Sequence, residues 1–153
     1  MMLYFAYGSN LDKSQMRYRC PNATPIKSIA LDKHKLVFRI YADIQFDDNS
    51  IIFGGLWNIT EDCEKALDRY EGVKRNLYRK KYFLYHGEKV LYYKMNDDYI
   101  SQPYLDYAIV IRKGYNDFHL PLDPLLKSIK ESVDHDNRFH KVKEKKNVYN
   151  FCN

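Results

Sequence analysis

Apolar and polar positions change period several times along this chain of 153 residues, and each change marks an element. Leu3 to Tyr7 is a short aromatic and apolar run followed at once by Gly8-Ser9-Asn10, the pattern of a strand entering a tight turn. Asp12 with Gln15 three residues later has the form of a capping box, so a helix is expected to begin there and to stop at Cys20-Pro21. Ile26 to Ala30, Lys35 to Tyr41 and Ile51 to Trp57 are rich in strand-forming residues and are separated by Asp32-Lys33 and by Asp47-Asp48-Asn49, which predicts three strands. Thr60 offers an N-cap, Glu61 and Asp62 suit the positive end of a helix, and Cys63, Ala66, Leu67 and Tyr70 form an apolar stripe that Gly72 should end. Leu77 to Tyr85 and Lys89 to Met95 flank His86-Gly87-Glu88 as a hairpin would. Tyr104 to Lys113 reads as a helix with Gly114 behind it. A last helix is expected from Asp123 as N-cap and Pro124 as first helical residue, with Leu125, Leu126, Ile129 and Val133 on its apolar face. Strands and helices mix without strict alternation, and short paired strands favour antiparallel contacts. The expected class is therefore α+β, with a curved or barrel-like sheet.

Length and composition narrow the picture further. The chain has the size of one domain, taken here as residues 1–136 followed by a basic tail at 137–153. With 45% hydrophobic residues and a net charge of +5, it is neither disordered nor fibrous. Met1 to Leu11 is uncharged but lacks a basic leader and a small-residue cleavage site, and no apolar run approaches the ~18 residues that span a bilayer. No membrane partner is expected. Cys20, Cys63 and Cys152 give an odd count with no metal-ligand spacing, so neither a disulfide framework nor a zinc site is implied, and a cytoplasmic location is expected. His34, His86, His119, His135 and His140 form neither H-x-x-x-H nor H-E-x-x-H, and Asp47-Asp48-Asn49 lacks the spacing of a calcium loop. Arg138 to Lys146 holds five basic residues and one acidic, yet no interleaved aromatic element accompanies it, so nucleic acid is not the expected partner.

Two segments carry candidate chemistry. Tyr7-Gly8-Ser9-Asn10-Leu11 lies between strand and helix, where a glycine admits a ligand close to the backbone and unpaired N–H groups attract an anion such as a carboxylate. An ordinary turn in which Ser9 or Asn10 merely caps the helix has the same form. Ser9 has no G-x-S-x-G context that would mark a nucleophile. The second segment is Leu67-Asp68-Arg69-Tyr70-Glu71-Gly72-Val73. Leu67 stands at i−4 from Glu71, which puts this carboxylate on or beside the apolar face, in a last turn whose dipole disfavours ionisation. Both effects push its pKa upward, as suits a general base near neutrality. The alternative is a solvated helix-end Glu paired with Lys74 or Arg75.

In this order, the two segments resemble the γ-glutamylcyclotransferase family, which includes γ-glutamylamine cyclotransferases and AIG2-like proteins. Tyr4-Phe5-Ala6-Tyr7-Gly8-Ser9-Asn10-Leu11 resembles the family's opening strand and substrate loop, and Leu67-Asp68-x-x-Glu71-Gly72-Val73 with Tyr78 resembles the segment bearing its catalytic glutamate. Tyr93-x-Met95, Pro103, Tyr107 and the stretch from Gly114 to Leu120-Pro121 continue the similarity, which runs from Met1 to about Val133. The resemblance implies a mixed, largely antiparallel, barrel-like sheet with peripheral helices, and a small γ-glutamyl compound as substrate. It implies Glu71 as proton acceptor, Tyr4, Tyr7, Gly8, Ser9 and Asn10 lining the substrate pocket, and Tyr78 and Tyr107 touching the substrate. In the implied reaction the substrate's α-amine attacks its own γ-carbonyl and releases 5-oxoproline, with neither metal nor organic cofactor. Two alternatives stay open: the leaving group can be an amine such as that of γ-glutamyl-lysine, or the chain can bind γ-glutamyl ligands without turnover. The pocket beyond the scissile amide is expected to be shaped by loops at 40–49 and 96–103.

Overall fold

The sheet is built outward from its first strand. In the computed structural model, which describes residues 1–139, β1 (Met2–Ala6) pairs antiparallel with β3 (Tyr41–Ile59) and parallel with β5 (Glu88–Met95). β2 (Thr24–Arg39) pairs with β3, and β4 (Tyr78–Tyr85) with β5, both antiparallel. The order β2-β3-β1-β5-β4 gives a mixed, largely antiparallel sheet that does not close, with β2 and β4 at its edges. Neighbours on both sides explain why β1 reads as an unbroken apolar run: Tyr4, Phe5 and Ala6 are all buried.

The three expected strands of the middle region are in fact two long ones. Asp32-Lys33 and Asp47-Asp48-Asn49 lie opposite each other in the β2–β3 hairpin, where pairing passes from Asp32 with Ile51 to His34 with Phe46. Lys33 takes φ 60° and Asp47 Oδ1 accepts the N–H of Asn49 at 2.9 Å, so the two turn signals make a bulge and neither ends a strand. The reversal itself falls at Ile40, φ 65°. The β4–β5 hairpin turns as its sequence predicts, on His86 and Gly87, both with positive φ.

Helix boundaries follow their caps. Asp12 Oδ1 accepts from the N–H of Ser14 (2.9 Å) and of Gln15 (3.3 Å) at the start of α1 (Lys13–Arg19), while the N–H of Asp12 itself donates to Ser9 O, so one half of the capping box forms. Thr60 Oγ1 accepts from Cys63 N at the start of α2 (Glu61–Tyr70), and Gly72 leaves the helix in the left-handed region at φ 61°. Cys20, which ends α1, donates its thiol to Cys63 O and so docks α1 on α2. α4 (Asp123–Phe139) begins at Asp123, the residue expected to cap it, so one residue before the expected first helical position Pro124; Leu125, Ile129 and Val133 are buried, and Ser128 Oγ donates to Leu36 O of β2. The basic tail reading falls almost wholly on residues 140–153, outside the described residues. Among the described residues, no helix is long and apolar enough to cross a membrane.

Gly114 does not terminate its helix. α3 (Leu105–Asp117) runs through it and packs against the 3₁₀ turn Ser9–Leu11. A Cβ at Gly114 would lie 2.4 Å from Leu11 Cβ and 2.7 Å from Asp12 N, so the glycine is required by the close approach of helix and turn. Gly114→Ala removes a helix-interior glycine, which alone favours folding by about 0.5–1 kcal/mol. The collision is with backbone and outweighs that gain, for a net destabilisation of about 1–3 kcal/mol. Denaturant unfolding should show a lower midpoint in the variant; an equal or higher midpoint would refute this account of the packing.

Candidate functional site

The turn after β1 and the residue after α2 meet in a cavity of ≈ 30 Å³. It is lined by Tyr4, Tyr7, Gly8, Ser9 and Asn10 from β1 and its turn, and by Ala42 of β3, Glu71, Tyr78 of β4, Tyr93 of β5 and Tyr107 of α3. Every residue singled out from the sequence as catalytic or substrate-binding therefore faces one space. The backbone of the turn explains why. Leu11 N donates to Gly8 O at 3.0 Å and Asp12 N to Ser9 O at 3.1 Å, which uses the carbonyls and leaves the N–H groups of Gly8, Ser9 and Asn10 without a partner among the described residues. A Cβ at Gly8 would come within 3.0 Å of Ala42 Cβ, so the turn lies tight against β3.

Glu71 is the first residue beyond α2, and its N–H still closes that helix on Leu67 O at 2.8 Å. Its carboxylate accepts from Asn10 Nδ2 at 3.1 Å. Among the described residues it has no ion pair with Lys74 or Arg75, the partners of the alternative reading. Gly72 supplies the reason, since its left-handed conformation turns the chain away from the helix axis before either cation is reached. Burial of the carboxyl raises its pKa from 4.5 to about 7, against the opposing pull of the Arg19 guanidinium and the Asn10 hydrogen bond.

The five tyrosines of the cavity differ in where their hydroxyl protons go. Tyr7 donates to Tyr93 O at 2.5 Å, Tyr78 to Ala42 O at 2.6 Å and Tyr93 to Asp68 Oδ1 at 2.7 Å, so these three spend their protons on the framework. Tyr4 accepts from Asn10 Nδ2 at 2.9 Å, and its own proton has no acceptor among the described residues. Tyr107 accepts from Ala42 N at 3.0 Å and is also bonded to Ser9. Burial holds all five phenols above the ordinary range, so they are neutral walls and hydrogen-bonding groups.

Residues not legible as site members from the sequence are Ala42, Tyr93 and Arg19. Ala42 acts through its backbone, which carries no side-chain signal. Tyr93 lay in a segment similar to the family's last strand, but its place on the wall depends on β5 pairing beside β1. Arg19 Nη1 donates to Asn10 Oδ1 at 2.6 Å, a contact between helix end and turn that spacing alone does not reveal. The segment 40–49 is not a loop, since residues 41–49 belong to β3, whereas 96–103 lies outside any helix or strand; of the two, only Ala42 lines this cavity. Among the described residues, no group of three or more His, Cys, Asp or Glu side chains is placed to hold a metal ion.

A buried acid with a raised pKa weakens folding when it ionises. Between its unfolded pKa near 4.5 and its folded value of about 7, the folded chain holds a proton that the unfolded chain has lost, so stability falls as pH rises through that window. Glu71→Gln removes this dependence. Its melting temperature relative to wild type should climb from pH 4.5 to pH 7.5, the reverse of the usual loss on altering a buried polar group; a constant difference would show that Glu71 titrates as an ordinary surface acid.

Comparison with known proteins gives the following. A family model described as "Gamma-glutamyl cyclotransferase, AIG2-like" matches residues 4–109. The fold is similar to a solved structure described as a gamma-glutamyl cyclotransferase, at 21% identity over 99% of this chain and 97% of that one, with a TM-score of 0.69. It is also similar to an uncharacterised protein from Homo sapiens (22% identity, 99% and 97% covered, TM-score 0.68). YkqA from Bacillus subtilis is a third such structure, at 22% identity over 86% of this chain and 54% of that one, TM-score 0.69. No curated protein matches the chain in sequence.

Proposed function

Since this chain belongs to the gamma-glutamyl cyclotransferase, AIG2-like family, we propose that it converts a γ-glutamyl amino acid or amine to 5-oxoproline and the free amino compound, with Glu71 as general base and acid. The observation that carries the reading is the Glu71 carboxylate, held by Asn10 inside a tyrosine-lined cavity and tuned by burial to about neutrality.

The reaction needs no protein nucleophile, because the substrate carries its own. The α-nitrogen forms a bond to the γ-carbonyl carbon, the bond from that carbon to the leaving nitrogen breaks, and a five-membered lactam closes. Such intramolecular attack corresponds to effective molarities of about 10⁵–10⁸ M once the chain is folded back on itself. Glu71 accepts a proton from the attacking α-nitrogen and returns one to the leaving nitrogen, so protons balance over the cycle. A pKa of about 7 suits both halves, since the group is neither too weak a base for the first transfer nor too weak an acid for the second.

Charge on the substrate is met by the turn. The N–H groups of Gly8, Ser9 and Asn10 supply donors for the α-carboxylate, and the unspent hydroxyl proton of Tyr4 is placed to serve the oxygen that turns anionic as the ring closes. Tyr7 and Tyr78, with their protons committed elsewhere, offer ring surface to the glutamyl methylenes, and Tyr107 closes the wall beside Ser9.

Release of 5-oxoproline from a panel of γ-glutamyl amino acids, γ-glutamylamines and glutathione, read by mass spectrometry, tests this reading. Glu71→Gln should lower kcat by about 10²–10⁴-fold, with circular dichroism unchanged. In the active wild type, kcat/KM should rise with pH through an ionisation near 7. Full turnover in the Gln variant would eliminate the mechanism.

A further inference from the structure

Arg19 is the last residue of α1 and does not line the cavity. Its guanidinium lies 4.4 Å from the centre of the Tyr70 ring, the residue immediately before Glu71, which fixes it between the ends of α1 and α2. From there Nη1 donates to Asn10 Oδ1 at 2.6 Å and to Ser9 Oγ at 3.4 Å. A guanidinium has donors only, so the amide oxygen of Asn10 must face Arg19. The amide nitrogen then faces the opposite way, where it meets Tyr4 OH at 2.9 Å and Glu71 Oε1 at 3.1 Å. Rotating the amide by half a turn would set its NH₂ against the cation and its oxygen against the carboxylate, replacing two charge-assisted hydrogen bonds with two repulsions.

We propose that Arg19 is a positioning residue for the reaction proposed above: it locks the Asn10 amide in the one orientation that holds Glu71 and leaves the Tyr4 hydroxyl proton free for the substrate. Its charge acts in the same direction. The other groups facing Glu71 are the phenols of Tyr4 and Tyr7 from β1, Tyr78 from β4, Tyr93 from β5 and Tyr107 from α3, all neutral, while Asp43 of β3, beside Tyr7 and Tyr78, is bonded to Arg39. Arg19 is thus the cation that offsets the burial of Glu71. The reaction it serves rests on the reading under "Proposed function"; the orientation of Asn10 does not.

The test separates charge from geometry with Arg19→Gln and Arg19→Lys. The Glu71 carboxyl is titrated by ¹³C NMR, its resonance identified by its absence in Glu71→Gln. Its midpoint should move up by about one unit or more in Arg19→Gln and stay near wild type in Arg19→Lys, which keeps the charge. For 5-oxoproline release, kcat should fall by about 10²-fold in Arg19→Gln with KM nearly unchanged, and to a lesser degree in Arg19→Lys, which lacks the planar guanidinium. Adding Arg19→Gln to Asn10→Ala should cost little more than Asn10→Ala alone, because the effect passes through that amide. An unmoved midpoint with unchanged kcat in a folded Arg19→Gln, or fully additive losses in the double variant, overturns the proposal. Should Arg19→Gln fail to fold, wild-type kcat in Arg19→Lys overturns it and a reduced kcat at an unmoved midpoint supports it. Absence of 5-oxoproline from every compound with wild-type protein would sink the reaction instead, while the titration would still decide whether Arg19 governs Glu71.

Discussion

The cavity depends on one buried carboxylate that takes no part in its lining. Asp43, fully buried on β3, accepts from Arg39 Nε at 2.7 Å and from Met95 N at 2.8 Å, with Lys94 Nζ at 3.5 Å. These contacts bind the head of the β2–β3 hairpin to the end of β5, two places that share no strand pairing. Arg39 in turn holds the carbonyls of Asp98 and Tyr99. Removing Asp43 leaves the buried Arg39 guanidinium without its counter-charge, at a cost of about 3–5 kcal/mol. What the arrangement fixes is Ala42, whose N–H and C=O hold Tyr107 and Tyr78, so two cavity walls hang on the backbone of one alanine.

Against that frame, the site is a division of labour among hydrogen-bonding groups. Tyr7, Tyr78 and Tyr93 spend their donors on fixing themselves; Tyr4 and the turn amides keep theirs. Asn10 joins the two sets, receiving from Arg19 and giving to Tyr4 and Glu71. Such an arrangement works against folding, since an acid is held where ionisation is disfavoured and amides are left unpaired. Stability is given up where polar groups must be ready for something other than each other.

Much of this was legible locally. Asp12, Thr60 and Gly72 announce their helix ends and His86-Gly87 its hairpin, because each acts on residues within one turn of itself. The Tyr7 to Asn10 turn and Glu71 were also visible, one as a glycine at a strand-helix junction and the other as a carboxylate beside an apolar stripe. Illegible features were those in which two distant segments decide jointly. Asp32-Lys33 and Asp47-Asp48-Asn49 each look like a strand end until they are set opposite each other. Gly114 looks like a stop until Leu11 presses on it. Arg19 and Ala42 have no local signature at all, since one acts through an amide nine residues away and the other through its main chain.

The cavity's modest volume has its own consequence. At ≈ 30 Å³ it has room for about two water molecules, and the rings around it are anchored by short bonds to backbone carbonyls. The cavity also opens to solvent, so a larger guest seats only part of itself between these rings and leaves the rest at the mouth. The ring anchors therefore set which portion of a ligand is gripped and which is left to the solvent side.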